Sequence, residues 1–340
     1  MKLVSYLSPS GEERVGLHID GQTVDLAQSA AGIGLKSPTT MAALLNAGAP
    51  ALRVARQVES AFGNKRITAI VHHSPLLAPV PHPTSCRDGY AFRQHVATAR
   101  RNRGVEMIPE FDQYPVFYFT NHNAVFGEGD VVVESDHLQK LDFELEAAIV
   151  IGKPGKNIPA SEADGYIAGF MVMNDLSARV LQMEEMLLSL GPAKGKDFAT
   201  TVGPWLVTPD ELAPFCISTP NGNTYDLRMT AYHNGNLVSD GNLKDMNWTF
   251  AELIERASYG VQLIPGDIIG SGTVGTGCYL ELNGTRALEA KAKGEPFTPV
   301  WLNGGDTIEL EIAGLGRLKN RIVKATNDYS ILAKKKHAPR

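Results

Sequence analysis

The run Leu141-Asp142-Phe143-Glu144-Leu145-Glu146-Ala147-Ala148-Ile149-Val150 alternates acid with hydrocarbon and then turns wholly apolar. In a strand, residues two apart point to one face, so Asp142, Glu144 and Glu146 project together while Phe143, Leu145 and Ala147 project to the other side. The run leads straight into a core-like segment, so partial burial of the acids is expected, and closely spaced buried carboxylates need a compensating cation. A hard divalent metal supplies one. The same residues also read as the charged outer face of an edge strand, where such charges guard against aggregation.

Outward from this run, short β-like segments dominate. ELEAAIVIG, YIAGFMVMND, PWLVT, LRMTAYHNG, GDIIGSGT, CYLELNG and DTIELEIAG are separated mostly by Gly, Asn or Asp turns, and 33 glycines with 20 prolines punctuate the chain. Helical spacing is confined to short stretches at Ser161 to Tyr166, Ala178 to Leu190 and Phe250 to Tyr259. Ahead of the proline-rich stretch Pro75 to Pro83, KLVSYLS, RVGLHID and TVDLA predict small hairpins, and apolar residues between Thr40 and Phe62 predict one or two helices. The expected organisation is a small N-terminal β-rich domain over residues 1–80, a mostly β (α+β) domain over 81–335, and a basic tail at 336–340.

Composition narrows the partners. The 340 residues are 43% hydrophobic and 20% charged with net charge −5, which gives no basic footprint for nucleic acid. No apolar run approaches the length of a membrane span, and no signal-peptide pattern precedes Glu12 and Glu13. Three dispersed cysteines, Cys86, Cys216 and Cys278, build neither a disulfide framework nor a CxxC metal site, so a cytoplasmic location is expected. None of the nine histidines forms an HExxH zinc motif.

Two further segments carry chemistry. In MVMNDLSARVLQ, Asp175 either caps a helix or, with Arg179 and Gln182 at i+4 and i+7, shares one face of it. In RDGYAFRQH (Arg87 to His95), an acid and a histidine flank aromatic residues just after the prolines, in what reads as a loop.

Together, RDGYAFRQH, DFELEAAIVIG, MNDLSARVLQ, GPAKGKDFATTVGPW and IIGSGTVGTGCYLEL stand in the order and approximate spacing of the fumarylacetoacetate hydrolase family, which the chain resembles over about residues 84 to 325. The resemblance implies a β-roll of mixed sheets with a small N-terminal β-rich domain, commonly assembled as a homodimer. It implies Asp88, Glu144, Glu146 and Asp175 as ligands of Mg²⁺, Ca²⁺ or Mn²⁺, with Asp142 outside the ligand set. It implies His95 as the base that activates water, Glu281 as its orienting partner, and Lys196, Arg179 and Gln182 as the polar cluster that holds substrate charge. Tyr90 and Thr273 match substrate-contacting positions, and Tyr118 lies where substrate specificity is expected to be decided. The implied substrate is a small keto acid, and the implied reaction is hydrolysis of a carbon–carbon bond in a β-diketone acid of the fumarylacetoacetate or acylpyruvate type. The alternatives are an oxaloacetate-type decarboxylase or a dienoic-acid isomerase or hydratase on the same metal platform, and, from a different class, a non-catalytic metal-binding protein.

Overall fold

The structure, a computed structural model, describes residues 1–64, 70–71, 74–327 and 329–334. The tail at 336–340 and the His72-His73 pair lie outside the described residues. The N-terminal alternating segments form the strands Lys2–Leu7, Glu13–Ile19 and Gln22–Asp25, paired antiparallel in sequence order. Asp25 then caps the helix Leu26–Gly32 by accepting from the Gln28 N–H. Thr40 caps the helical stretch Met41–Gly63, which kinks at Gly48 (φ 61°), just before Pro50.

These strands do not stop at residue 80. Lys2–Leu7 pairs antiparallel with Thr200–Val207, so the N-terminal unit runs on into one eleven-stranded sheet. From one edge its order is Ile70–Val71, Gln22–Asp25, Glu13–Ile19, Lys2–Leu7, Thr200–Val207, Ile167–Asp175, Leu145–Ile151, Asp267–Gly270, Ser85–Gly89 and Phe117–Thr120, with Val125–Phe126 added in parallel beside Thr200–Val207. A five-stranded sheet, ordered Asn236–Asn242, Arg228–His233, Thr307–Ile312, Gly316–Lys324 and Gly129–Val133, covers one face.

The strand Leu145–Ile151 shows how both faces are filled. Its odd-numbered residues Leu145, Ala147 and Ile149 join Leu310, Ile312 and Leu318 of the second sheet in one core. Its even-numbered Ala148 and Val150 pack with Leu3, Leu17, Leu44 and Val58 beside the N-terminal helices. A strand buried on both faces needs apolar side chains throughout, which explains the AAIV run and excludes the edge-strand reading.

Four sequence expectations are corrected. The Leu141–Val150 run is not one strand: Leu141–Asp142 pairs with Ser177–Ala178, the chain breaks at Phe143 and Glu144, and pairing resumes at Leu145. Asp175 neither caps nor begins a helix; it is the last residue of the strand Ile167–Asp175, and the helix starts at Arg179. The segment Tyr279–Lys293, including the Leu-Glu-Leu read as strand, is a fifteen-residue helix. Finally, Arg93–Asn102 is a helix rather than loop, which puts His95 in its first turn.

Candidate metal centre and active site

Three strand ends deliver carboxylates to one place. Asp88 lies near the end of Ser85–Gly89, Glu146 near the start of Leu145–Ile151, and Asp175 at the end of Ile167–Asp175; the register sets Asp88 beside Gly270. Glu144 arrives from the break in the chain, where its N–H donates to Asn174 Oδ1 at 3.0 Å. All four acids are buried, and each offers an oxygen within 4.8 Å of the others'. Gly270 is required here, because a Cβ would sit 2.5 Å from Asp88 Oδ1 and 3.0 Å from Glu146 Oε2. The Gly272 N–H donates to both of those oxygens at 3.1 Å.

Charge does not balance inside this cluster. Lys196 Nζ lies 2.5 Å from Glu144 Oε2 and 2.5 Å from Asp175 Oδ2, and Arg179 Nη2 donates to Glu144 Oε1 at 2.7 Å. Burial and then these cations compete at Glu144, and the cations win: its carboxyl is held down at about 2. No cation bonds Asp88 directly, and burial and the nearby Asp175 outweigh the more distant Lys196 and push its carboxyl up to about 7. Burial and Asp88 push Glu146 well above the usual carboxylate range. Asp175 accepts from Tyr118 Oη and Lys196 on Oδ2, yet its buried Oδ1 has no hydrogen-bond partner. Hard oxygen donors, an excess of negative charge and an orphaned carboxylate oxygen fit Mg²⁺, Ca²⁺ or Mn²⁺. Cys278 lies close to His95 and Glu281, but burial pushes its thiol up and keeps it a poor ligand.

Beside the cluster stands the pair His95 and Glu281. His95 Nδ1 lies 2.6 Å from Glu281 Oε2, and Oε1 of that carboxylate accepts from the Thr276 N–H at 3.0 Å. A carboxylate acceptor at Nδ1 keeps the proton there and leaves Nε2 free to take one. The helices Arg93–Asn102 and Tyr279–Lys293 carry the two residues, and Gly284 lets them approach: a Cβ there would lie 2.6 Å from Asn102 Nδ2.

Asp142 is the residue whose importance the sequence understated. It is wholly buried, and its carboxylate accepts from Arg179 Nε (2.9 Å) and Nη2 (2.7 Å), from the N–H groups of Tyr279 (2.7 Å) and Leu280 (2.9 Å), and from that of Phe143 (3.0 Å). It therefore caps the Tyr279–Lys293 helix from outside, where the residue at the N-cap, Cys278, makes no side-chain bond. One carboxylate fixes both the guanidinium and the helix turn that bears Glu281. The signal for that helix was the Ala-Leu-Glu-Ala-Lys-Ala-Lys run at 287–293, outweighed by the turn-like Asn283-Gly284.

Nine of the residues singled out from sequence line a single cavity of about 760 Å³: Asp88, Tyr90, His95, Tyr118, Glu144, Arg179, Gln182, Lys196 and Thr273. Glu146, Asp175 and Glu281 stand behind its wall, each bonded to a lining residue. Gln182 Oε1 accepts from Arg179 Nη1 at 2.9 Å, Thr273 Oγ1 lies 3.4 Å from Glu146 Oε1, and the Tyr90 ring meets His95 edge-on at 6.1 Å.

Comparison with known proteins identifies the family and the fold. A family model described as fumarylacetoacetate (FAA) hydrolase C-terminal matches residues 84–323. The chain is 31% identical over 338 residues to the mitochondrial oxaloacetate tautomerase Fahd2a of Rattus norvegicus, covering 95% of this chain and 92% of that protein. It is 37% identical over 269 residues to the fumarylacetoacetase of Bos taurus, covering 65% of this chain and 63% of that one. The structure of maleylpyruvate hydrolase from Sphingobium sp. SYK-6 shares the fold with a TM-score of 0.64, over 96% of this chain and 100% of that one, at 21% identity.

Proposed function

The chain belongs to the fumarylacetoacetate hydrolase family, a family of enzymes, and from that premise we propose that it hydrolyses a carbon–carbon bond in a β-diketone acid. The observation that carries the reading is the His95–Glu281 pair, 2.6 Å apart, with His95 opening into the cavity shared with the carboxylate cluster. Asp88, Glu144, Glu146 and Asp175 would hold a divalent ion, which supplies positive charge for the substrate's keto oxygens.

The chain's own residues divide the remaining work. His95 Nε2 takes a proton from water as the oxygen bonds to the acyl carbonyl carbon, and Glu281 stabilises the imidazolium that forms. The bond between that carbon and the neighbouring methylene then breaks, its electron pair passing to the pyruvate fragment as an enolate. Proton return from His95 completes a carboxylic acid and pyruvate. Arg179, steered by Asp142 and Gln182, presents its charge where the departing fragment becomes negative, with Lys196 beside it. Tyr90, Tyr118 and Thr273 border the substrate.

The test is product analysis with Mg²⁺ and acylpyruvates, oxaloacetate serving as control. Two acids from an acylpyruvate, lost in His95→Ala, support hydrolysis. The rat relative named an oxaloacetate tautomerase favours a second reading, in which the same base moves a proton between carbon and oxygen without cleavage. Interconversion of oxaloacetate tautomers with no cleavage of any acylpyruvate would replace the first reading with the second. The proposal includes homodimeric assembly, checked by sedimentation, and a cytoplasmic location, checked by fractionation. Among the described residues no helix is long and apolar enough to cross a membrane.

A further inference from the structure

The cavity has two chemically different halves. The inner half holds the carboxylates, His95, Lys196 and Arg179. Three segments bring most of the apolar side chains of the outer half. Along the helix Arg179–Leu187, the lining residues Arg179, Gln182, Met183 and Met186 fall at i, i+3, i+4 and i+7, so one stripe passes from charged to apolar over a rise of about 10 Å. The helix Tyr279–Lys293 supplies Leu280 and Ala287, and Phe297 and Trp301 close the third side.

Two of the amides that line the cavity, Asn283 and Asn102, are already engaged. Asn283 is bonded through both its Nδ2 and its Oδ1 to the backbone of Val300, at 2.8 and 3.0 Å. Asn102 Nδ2 donates to the Glu281 carbonyl and the Thr285 hydroxyl at 2.9 and 3.2 Å. What faces the outer space is thioether, ring and methyl, with Met183 and Met186 still 39% and 47% exposed. The charged groups there, Arg103 and Lys140, are exposed.

We propose that the outer half receives the acyl substituent of the substrate, and that this substituent is a hydrocarbon, an aryl ring or a medium-length alkyl chain, rather than a second carboxylate. The inference rests on the diketo-acid reading of the inner half. Asn102 and Asn283 are already bonded and the cations Arg103 and Lys140 stand in solvent, where a carboxylate gains little, whereas apolar walls gain from every methylene they take out of water.

The experiment uses the whole protein with Mg²⁺ and acetylpyruvate, hexanoylpyruvate, benzoylpyruvate and succinylpyruvate. Binding is followed by calorimetry and by tryptophan fluorescence, since Trp301 lines the cavity, and cleavage is followed separately. Affinity is expected to rise about fourfold per added methylene and to be at least about tenfold higher for benzoylpyruvate than for acetylpyruvate. Met186→Lys and Phe297→Lys, each checked for an unchanged melting temperature, should flatten that gradient. Equal affinity across the series, or tightest binding of succinylpyruvate, overturns the inference and assigns Arg103 and Lys140 to a second carboxylate. A gradient in binding without cleavage keeps the inference and sinks hydrolysis. Cleavage without a gradient sinks the inference alone, and no binding by any member sinks both.

Discussion

Two places in the same eleven-stranded sheet bury acid, and they are built in opposite ways. At the N-terminal side, Asp25 is 1% exposed and surrounded by donors: Arg14 Nε at 2.7 Å and Nη2 at 3.0 Å, Tyr6 Oη at 2.5 Å and the Gln28 N–H at 2.6 Å. Burial pulls its carboxyl up, but those donors hold it below the usual range. At the other place, Asp88, Glu146 and Asp175 are all pushed up, and one oxygen has no partner. A buried acid that serves stability comes with its counter-charges folded in. A group of acids that serves chemistry is left short of positive charge, and that shortfall becomes affinity for an ion.

The contrast is sharpest in activity. His95→Ala should lower turnover about 10²–10⁴-fold, the worth of a positioned base, while the melting temperature stays put. A parallel loss of folding would put His95 on the structural side of the comparison. The next effect has the opposite signature. Arg14→Ala leaves Asp25 buried against Tyr6 alone among side chains and should cost about 3 kcal/mol in urea unfolding, the lower end of the range for a broken buried pair because Arg14 is 19% exposed. Turnover per folded molecule should be unchanged.

A third measurement titrates the shortfall directly. Mg²⁺ at a hundredfold excess over its Kd should stabilise the protein by about 2.7 kcal/mol in thermal unfolding. The same increment should appear in Arg14→Ala and vanish in the double variant Asp88→Asn, Glu146→Gln; an undiminished increment there would place the ion elsewhere. The smallest effect is one of pH. The ordinary carboxyl value for Asp25 is 3.8 and the folded value lies below it, so its contribution is complete above 3.8 and is lost as pH falls through the folded value. Asp25→Asn should therefore show a flatter decline in stability across that acidic window than the parent, read as melting temperature against pH.

What could be read in the sequence follows the range of the forces. The strands of GFMVMND and DTIELEIAG were legible because two-residue alternation and turn residues are local. The two-residue spacing grouped Asp142, Glu144 and Glu146 together, and only the family resemblance separated Glu144 and Glu146 from Asp142, because the interruption of the strand at Phe143 and Glu144 leaves no mark in the alternation. Asp175 was legible as the end of a strand, but the start of the following helix was set four residues too early because its spacing to Arg179 and Gln182 satisfies a helical face. The pairing of Ser177–Ala178 with Leu141–Asp142, distant in sequence, delays the helix to Arg179. Glu281 was misread because Asn-Gly resembles a turn, whereas Gly284 is there for the approach of Asn102 from another helix. The roles of His95 and Glu281 came from family resemblance alone, because nothing local joins residues 186 positions apart.

Asp142 has a consequence for how such a site can change. The guanidinium of Arg179 and the helix turn that bears Glu281 look like separable modules, yet they share the two oxygens of one side chain. A substitution that moved Arg179 would disturb the helix turn carrying Glu281, and with it the contact to His95, in the same stroke. The far wall, with Met183, Met186 and Phe297, offers side chains that form no hydrogen bond to Asp142, although the two methionines ride on the helix that begins at Arg179. Novelty in this enzyme has an open route through its methionines and a barred one through its arginine.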